Sequence, residues 1–341
     1  MKTAKDASTT ALTPRGFASN QDIRWCPGCG DYSILKQIQT VMPTLGVPKE
    51  KMVFISGIGC SSRFPYYMNT YGLHGIHGRA IAIASGVKST SPDLDVWVVT
   101  GDGDSLSIGG NHLIHALRKN FNINIVLFNN EIYGLTKGQY SPTSPSGQVT
   151  KSTPFGSLDR PFNPASLALG AEGTFVARGI DRNPVQLREL IAASHRHEGT
   201  SFLEVYQNCN VFNDGAFHAF TDKNLRDDHV INLEAGKPLI FGGGTKGIRL
   251  DGFTPRVVPL GEYAPEDCWI HDPQDKIKAS ILASFFDYSV EQAGLPRPFG
   301  ILYEANRPTY EQTMMDQIER HFDQEADLDA LLKGNNSWEV K

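Results

Sequence analysis

Four short apolar runs recur along the first two thirds of the chain, and each ends in a turn of small or polar residues. Residues 52–56 lead into Gly57-Ile58-Gly59-Cys60, and residues 96–100 into Gly101-Asp102-Gly103-Asp104. Residues 123–128 lead into Asn129-Asn130, and residues 202–206 into Gln207-Asn208-Cys209. Apolar runs of this length, bounded by turn residues and without alternation, predict strands buried on both faces. Between them the periodicity predicts helices over 31–41, 79–89, 108–120 and 181–197, the last with Asp181 as cap and Pro184 in its first turn. Strands alternating with helices give an α/β fold: a doubly wound, mostly parallel sheet with helices on both faces.

In such a sheet, ligands bind beyond the carboxyl ends of the strands. Cys60, Asp102, Asn130 and Cys209 all fall there, so four separate strands are expected to aim polar residues at one crevice. The Ser, Thr, Pro and Gly composition of 139–164 predicts an ordered surface loop or lid directly after one of these turns. Three segments follow: a flexible N-terminal arm (1–22), a ligand-binding domain (23–222) and a C-terminal extension (223–341), the last expected to pack on a partner and to include a helical run over 277–287.

Composition narrows the function classes. The formal net charge of −5 is mild and its residues are interspersed, so neither nucleic acid nor a membrane surface is an expected partner. No apolar run is long enough to span a bilayer and the first residues lack the apolar centre of a signal peptide, so a cytoplasmic location is expected. Five cysteines, an odd number, argue against a disulfide framework and for metal or redox chemistry.

Gly101-Asp102-Gly103-Asp104, followed after a helix and a strand by Asn129-Asn130, is the most specific signal. A carboxylate and an amide oxygen at the tips of adjacent strands can hold a hard divalent cation, while glycines let backbone N–H groups approach a diphosphate. The segment from Gly101 to Asn130 resembles the thiamine diphosphate signature of transketolase-like and pyruvate-decarboxylase-like enzymes. The resemblance implies that Asp102, the Asn130 side chain and the Ile132 carbonyl bind Mg²⁺. It also implies that Gly103, Asp104 and the turn containing Gly134, Leu135 and Thr136 lie against the diphosphate.

Trp25-Cys26-Pro27-Gly28-Cys29 has thioredoxin-like spacing, but a polar segment precedes it where that motif needs a core strand. Spacing alone leaves a four-cysteine zinc site and an iron-sulfur cluster equally open. Cys26-Pro27-Gly28-Cys29-Gly30, Gly57-Ile58-Gly59-Cys60-Ser61 and Cys209 together resemble the beta subunits of 2-oxoacid:ferredoxin oxidoreductases, over about residues 25–222. That family implies one [4Fe-4S] cluster on Cys26, Cys29, Cys60 and Cys209, with Gly59, Cys60, Ser61, His77 and Gly101 completing the cofactor site. Cys268 matches no ligand position.

The same resemblance implies a CoA-dependent oxidative decarboxylation of a 2-oxoacid, with electrons leaving through the cluster to ferredoxin. No second strand-rich domain fits in the chain, so the glutamate that activates thiamine diphosphate is expected on an alpha subunit, in an (alpha-beta)2 complex. The Tyr133–Pro142 stretch resembles the 2-oxoglutarate branch, with Lys137 as a second cation for a dicarboxylate and Arg63 as a further candidate. Pyruvate and branched-chain 2-oxoacids remain alternatives, as do a thiamine-dependent decarboxylase without a cluster and a zinc-stabilised, non-enzymatic nucleotide-binding subunit. His112 and His115 are expected to share a helix face without a third ligand, and His195 and His197 to sit at a helix end where the dipole favours them.

Overall fold

A computed structural model of the chain describes residues 12–286, 294–322 and 327–340. Half of the expected arm and the last residue of the helical run expected over 277–287 lie outside the described residues.

The strands are β1 (Met52–Ser56), β2 (Tyr71–His74), β3 (Asp95–Gly101), β4 (Ile123–Asn129), β5 (Phe175–Ile180), β6 (Ser201–Tyr206) and β7 (Val230–Asn232). A separate antiparallel sheet is built from β8 (Ile240–Phe241), β9 (Lys246–Asp251) and β10 (Thr254–Pro259), and β11 (Arg297–Glu304) closes the set. The main sheet has the order β2-β1-β3-β4-β6-β5-β11-β7, and all pairs from β2 to β5 are parallel.

Its strands are apolar on both faces because helices cover both. On β3, Val96 and Val98 pack into the layer of α2 (Ala80–Thr90), α3 (Gly110–Lys119) and α4 (Pro164–Gly170). Trp97 and Val99 pack into the opposite layer, against α1 (Asp31–Val41) and α5 (Pro184–Arg196). This two-sided burial is why the sequence shows continuous apolar runs rather than alternation.

Several local details differ from the sequence reading. The cap of α5 is Asn183, whose side chain accepts from Gln186 N, because Pro184 at the first helical position puts the cap one residue before it. Asp181 instead accepts from Asn208 N at 3.0 Å. Strand β5 went unread because Arg178 and Gly179 interrupt its apolar pattern. Arg178 is fully buried, directly opposite Glu204 in the register and hydrogen-bonded to it at 2.7 Å.

The sheet also crosses the boundary placed at 222, since β11 pairs antiparallel with β5 through Gly300 and Arg178. From Thr13 onward the N-terminal segment is docked: Phe17 is fully buried and Ala18 bridges Met68. Among the described residues no helix is long and apolar enough to cross a membrane.

Candidate active site

Strands β1, β3, β4 and β6 are consecutive neighbours in the sheet and all run in one direction. The turns carrying Cys60, Asp102, Asn130 and Cys209 therefore emerge side by side. They open on a crevice of about 650 Å³. Gly59, Cys60, Ser61 and His77 line it from the first turns, and Gly101, Asp102, Gly103 and Asp104 from the turn after β3. Asn130, Ile132, Gly134, Leu135 and Thr136 line it from the turn after β4. The structure thus brings every residue of the expected cofactor set to one cavity.

The turn after β3 enters a π-helical segment, Asp104–Ile108, before α3 begins. Such irregular turns recur at functional sites. Gly103 is required by close approach: a Cβ there would lie 2.1 Å from the Tyr133 ring. That ring reaches back to donate from its hydroxyl to Gly103 O at 3.1 Å.

Asp104 serves the fold of the site. Its Oδ1 meets His77 Nδ1 at 2.6 Å and accepts from Gly78 N at 2.7 Å and Ile58 N at 3.0 Å, while Oδ2 accepts from Thr100 Oγ1 at 2.8 Å. One carboxylate ties together the turns after β1, β2 and β3. The imidazole that donates Nδ1–H to it keeps Nε2 for a ligand of the crevice.

Asp102 is buried, and both of its side-chain donors fall on Oδ2: Ser141 Oγ and Thr143 Oγ1, each at 2.6 Å. Burial holds its carboxyl above the usual range, against the pull of these two hydroxyls. A carboxylate desolvated in this way, with Oδ1 free of side-chain donors, is suited to a cation. Asn130 adds an amide oxygen from the neighbouring strand end. Between the proposed ligands Asn130 and Ile132, Glu131 adopts a left-handed φ of 56°. Carboxylate, amide and carbonyl oxygens form a hard donor set of the kind Mg²⁺ takes.

The four cysteines Cys26, Cys29, Cys60 and Cys209 line a second cavity of about 250 Å³. Cys60, Asn130, Gly134, Leu135 and Gln207 belong to both cavities, so the two adjoin. Burial pushes the Cys60 thiol up to about 12 and raises Cys29 further, and the neighbouring acidic groups add to both shifts. Thiolates gathered in such a place need positive charge among them. Four cysteine sulfurs around one cavity form the all-thiolate donor set that an iron-sulfur cluster or a four-cysteine zinc site takes.

Other candidates fall elsewhere. Lys137, with a left-handed φ of 79°, lines the cysteine cavity beside Arg24 and Arg63. His195 pairs with Asp95 at 3.4 Å and stacks on Trp97, and His197 is buried against Thr174. These specific partners, more than a helix dipole, fix the two rings. Cys268 packs beside Gly247 in the small sheet.

Four residues of the site were not read from sequence. Asp31 lines the crevice and is 1% exposed, and burial pushes its carboxyl up to about 7 against the pull of the Cys29 thiol beside it. Its only signal was its place directly after Cys29-Gly30. Ser141 and Thr143 were hidden in loop-like composition, and Gln207 looked like a strand-end polar residue.

The chain matches the family model described as thiamine pyrophosphate enzyme, C-terminal TPP binding domain, over residues 57–205. It is 50% identical over 333 residues to the 2-oxoglutarate oxidoreductase subunit KorB of Mycobacterium tuberculosis, covering 96% of this chain and 88% of that relative. The chain belongs to the beta subunits of the 2-oxoacid:ferredoxin oxidoreductases. In this family it is also 44% identical over 191 residues to subunit beta of 2-oxoacid:ferredoxin oxidoreductase 2 of Aeropyrum pernix, covering 56% of this chain and 62% of that one. A solved 2-oxoglutarate:ferredoxin oxidoreductase from Magnetococcus marinus, with 2-oxoglutarate, coenzyme A and succinyl-CoA bound, superposes with a TM-score of 0.76 at 34% identity. That likeness covers 96% of this chain and 97% of the solved one.

Proposed function

We propose that this chain is the beta subunit of a cytoplasmic, CoA-dependent 2-oxoglutarate:ferredoxin oxidoreductase that forms succinyl-CoA and CO₂. It would bind thiamine diphosphate through Mg²⁺ on Asp102, Asn130 and the Ile132 carbonyl, and one [4Fe-4S] cluster on Cys26, Cys29, Cys60 and Cys209. The observation that carries this reading is the wall shared by the thiamine diphosphate crevice and the four-cysteine cavity. A redox group there is next to the place where a 2-oxoacid loses CO₂.

Thiamine diphosphate supplies the electron sink that makes loss of CO₂ from a 2-oxoacid feasible. The chain's own residues position and insulate it. Asp104 fixes the His77 ring and the surrounding turns, Ser141 and Thr143 hold Asp102 in place, and Tyr133 closes over Gly103. The naming of the relatives as subunits supports an alpha partner, which would contribute the activating glutamate in an (alpha-beta)2 complex, with residues 23–222 carrying both sites and the later segment packing on the partner. Lys137 and Arg63 line the adjoining four-cysteine cavity, and from its rim they would reach the distal carboxylate of the substrate.

The test is anaerobic co-purification with the alpha subunit, followed by electron paramagnetic resonance in the presence of thiamine diphosphate, Mg²⁺ and CoA. Reduction of the cluster by 2-oxoglutarate and not by pyruvate is the expected result. Reduction by pyruvate instead would change the substrate, and a colourless protein with one zinc per chain would overturn the cluster.

A further inference from the structure

The amide of Gln207 stands between the two cavities and lines both. Its side chain is 1% exposed. Nε2 lies 3.3 Å from Cys29 Sγ and 2.6 Å from Asn208 O. These distances decide which way the amide points, since a carbonyl such as Asn208 O can only accept. Exchanging Nε2 and Oε1 would set two acceptors against each other at 2.6 Å. The N–H group, and not the oxygen, therefore faces Cys29.

The amide is held there by its surroundings. Asn208 N donates to Asp181 Oδ2 at 3.0 Å, Asn208 O also accepts from Gly30 N at 3.2 Å, and Gln207 N donates to Asn129 O at 2.9 Å. Gly30 makes the approach feasible: a Cβ at that position would lie 2.0 Å from Asp181 Oδ2 and 2.9 Å from Gln207 Cγ. The donor is thus held in place by contacts with its own chain.

We infer that Gln207 donates an N–H···S hydrogen bond to the Cys29 thiolate and thereby sets the reduction potential of the cluster above the value it would have without that donor. The inference rests on the cluster reading above. On reduction, one electron enters the cluster without a proton, and part of the added negative charge resides on the thiolate sulfurs. An N–H donor stabilises that more negative state more than the oxidised one, so it makes the cluster easier to reduce. Because the donor follows β6 directly, its position is tied to a strand whose neighbour β4 ends at Asn129 and leads into Asn130. Gln207 is a positioning and tuning residue; it bears no part of the bond-breaking chemistry.

The experiment is a potentiometric titration of the complete alpha-beta holoenzyme, followed by electron paramagnetic resonance, with iron and acid-labile sulfide measured on each sample. Gln207→Met, which keeps the side chain's length and removes the donor, should shift the midpoint to more negative potential at unchanged cluster content. The expected size is up to a tenfold change in the reduction equilibrium, which for one electron is 59 mV. Gln207→Glu, which adds negative charge as well, should shift it further in the same direction. A second measurement uses the unsubstituted enzyme, labelled with ¹⁵N in its glutamine side-chain amides. Pulsed electron paramagnetic resonance of the reduced cluster should then show a ¹⁵N coupling. A full cluster with an unshifted midpoint in Gln207→Met, or no such coupling, overturns this inference and leaves the cluster reading standing. An unsubstituted enzyme without iron overturns both.

Discussion

The hydroxyl of Thr143 lies between Asp102 Oδ2, at 2.6 Å, and Asn129 Oδ1, at 2.9 Å. A residue of the loop after β4 thus holds the carboxylate at the tip of β3. The chain of contacts continues inward, since Asn129 Nδ2 donates to Glu204 Oε1 at 2.8 Å and Glu204 Oε2 accepts from Arg178 Nε at 2.7 Å. Through the Thr143 hydroxyl, whose single proton serves one of these two acceptors at a time, the proposed metal ligand is in contact with a network that ends on an ion pair in the middle of the sheet.

Thr143→Val should weaken Mg²⁺-dependent binding of thiamine diphosphate, because it removes a hydroxyl that orients a desolvated carboxylate. A hydrogen bond to a charged group contributes about 1.5–3 kcal/mol, which corresponds to a loss of roughly tenfold or more. Thr143→Ser should restore affinity. Fluorescence titration of the cofactor at several Mg²⁺ concentrations measures it, and a Val variant with the parent's affinity would remove Thr143 from the metal site.

The pair Arg178 and Glu204 is fully buried. Glu204→Gln should destabilise the chain by about 3–5 kcal/mol, because it leaves the guanidinium without a counter-charge. Replacing both with apolar residues should cost less than the single change, since neither charge then remains in the sheet. Urea unfolding of the parent, the single variant and the double variant compares these, and a double variant less stable than the single one contradicts the argument.

His197 is buried beside Thr174, and burial lowers its pKa to about 4. An unfolded histidine titrates near 6.5. Between pH 6.5 and about 4 the unfolded state therefore binds more protons than the folded state at this position. Stability contributed by the neutral ring is present above pH 6.5 and is lost as the pH falls toward 4. His197→Gln should flatten that part of the stability profile relative to the parent, as measured by denaturant midpoints across the range. Identical slopes would show that the ring titrates freely.

Lys137→Gly removes a cation while suiting the backbone, because Lys137 already occupies a left-handed φ of 79° that glycine adopts without strain. If Lys137 meets the distal carboxylate, the variant in the assembled enzyme should raise KM for 2-oxoglutarate by roughly two- to fivefold, the effect of an exposed ion pair. KM for pyruvate should not change. Equal effects on the two substrates would exclude the role.

Much of the site was legible because its signals are local. A Gly-Asp-Gly-Asp turn after an apolar run, two asparagines after the next run and cysteines in fixed company are all readable one segment at a time. The strands that were missed show where local reading fails. Tyr71–His74 is an exposed edge strand with a glycine, so it has no apolar run. Phe175–Ile180 contains an arginine that only its neighbour Glu204 makes tolerable in a sheet interior.

The sequence by itself determined the four buried strands β1, β3, β4 and β6 and the turns that carry the cofactor and cysteine residues, because continuous apolar runs and glycine turns are specified by their own residues. Only the tertiary structure decided that β1, β3, β4 and β6 are neighbours and that the two cavities share a wall. It also decided that Thr143, Asp31 and Gln207 belong to the site. Strand order and side-chain hydrogen bonds across tens of residues depend on packing between distant segments, and no periodicity within one segment encodes them.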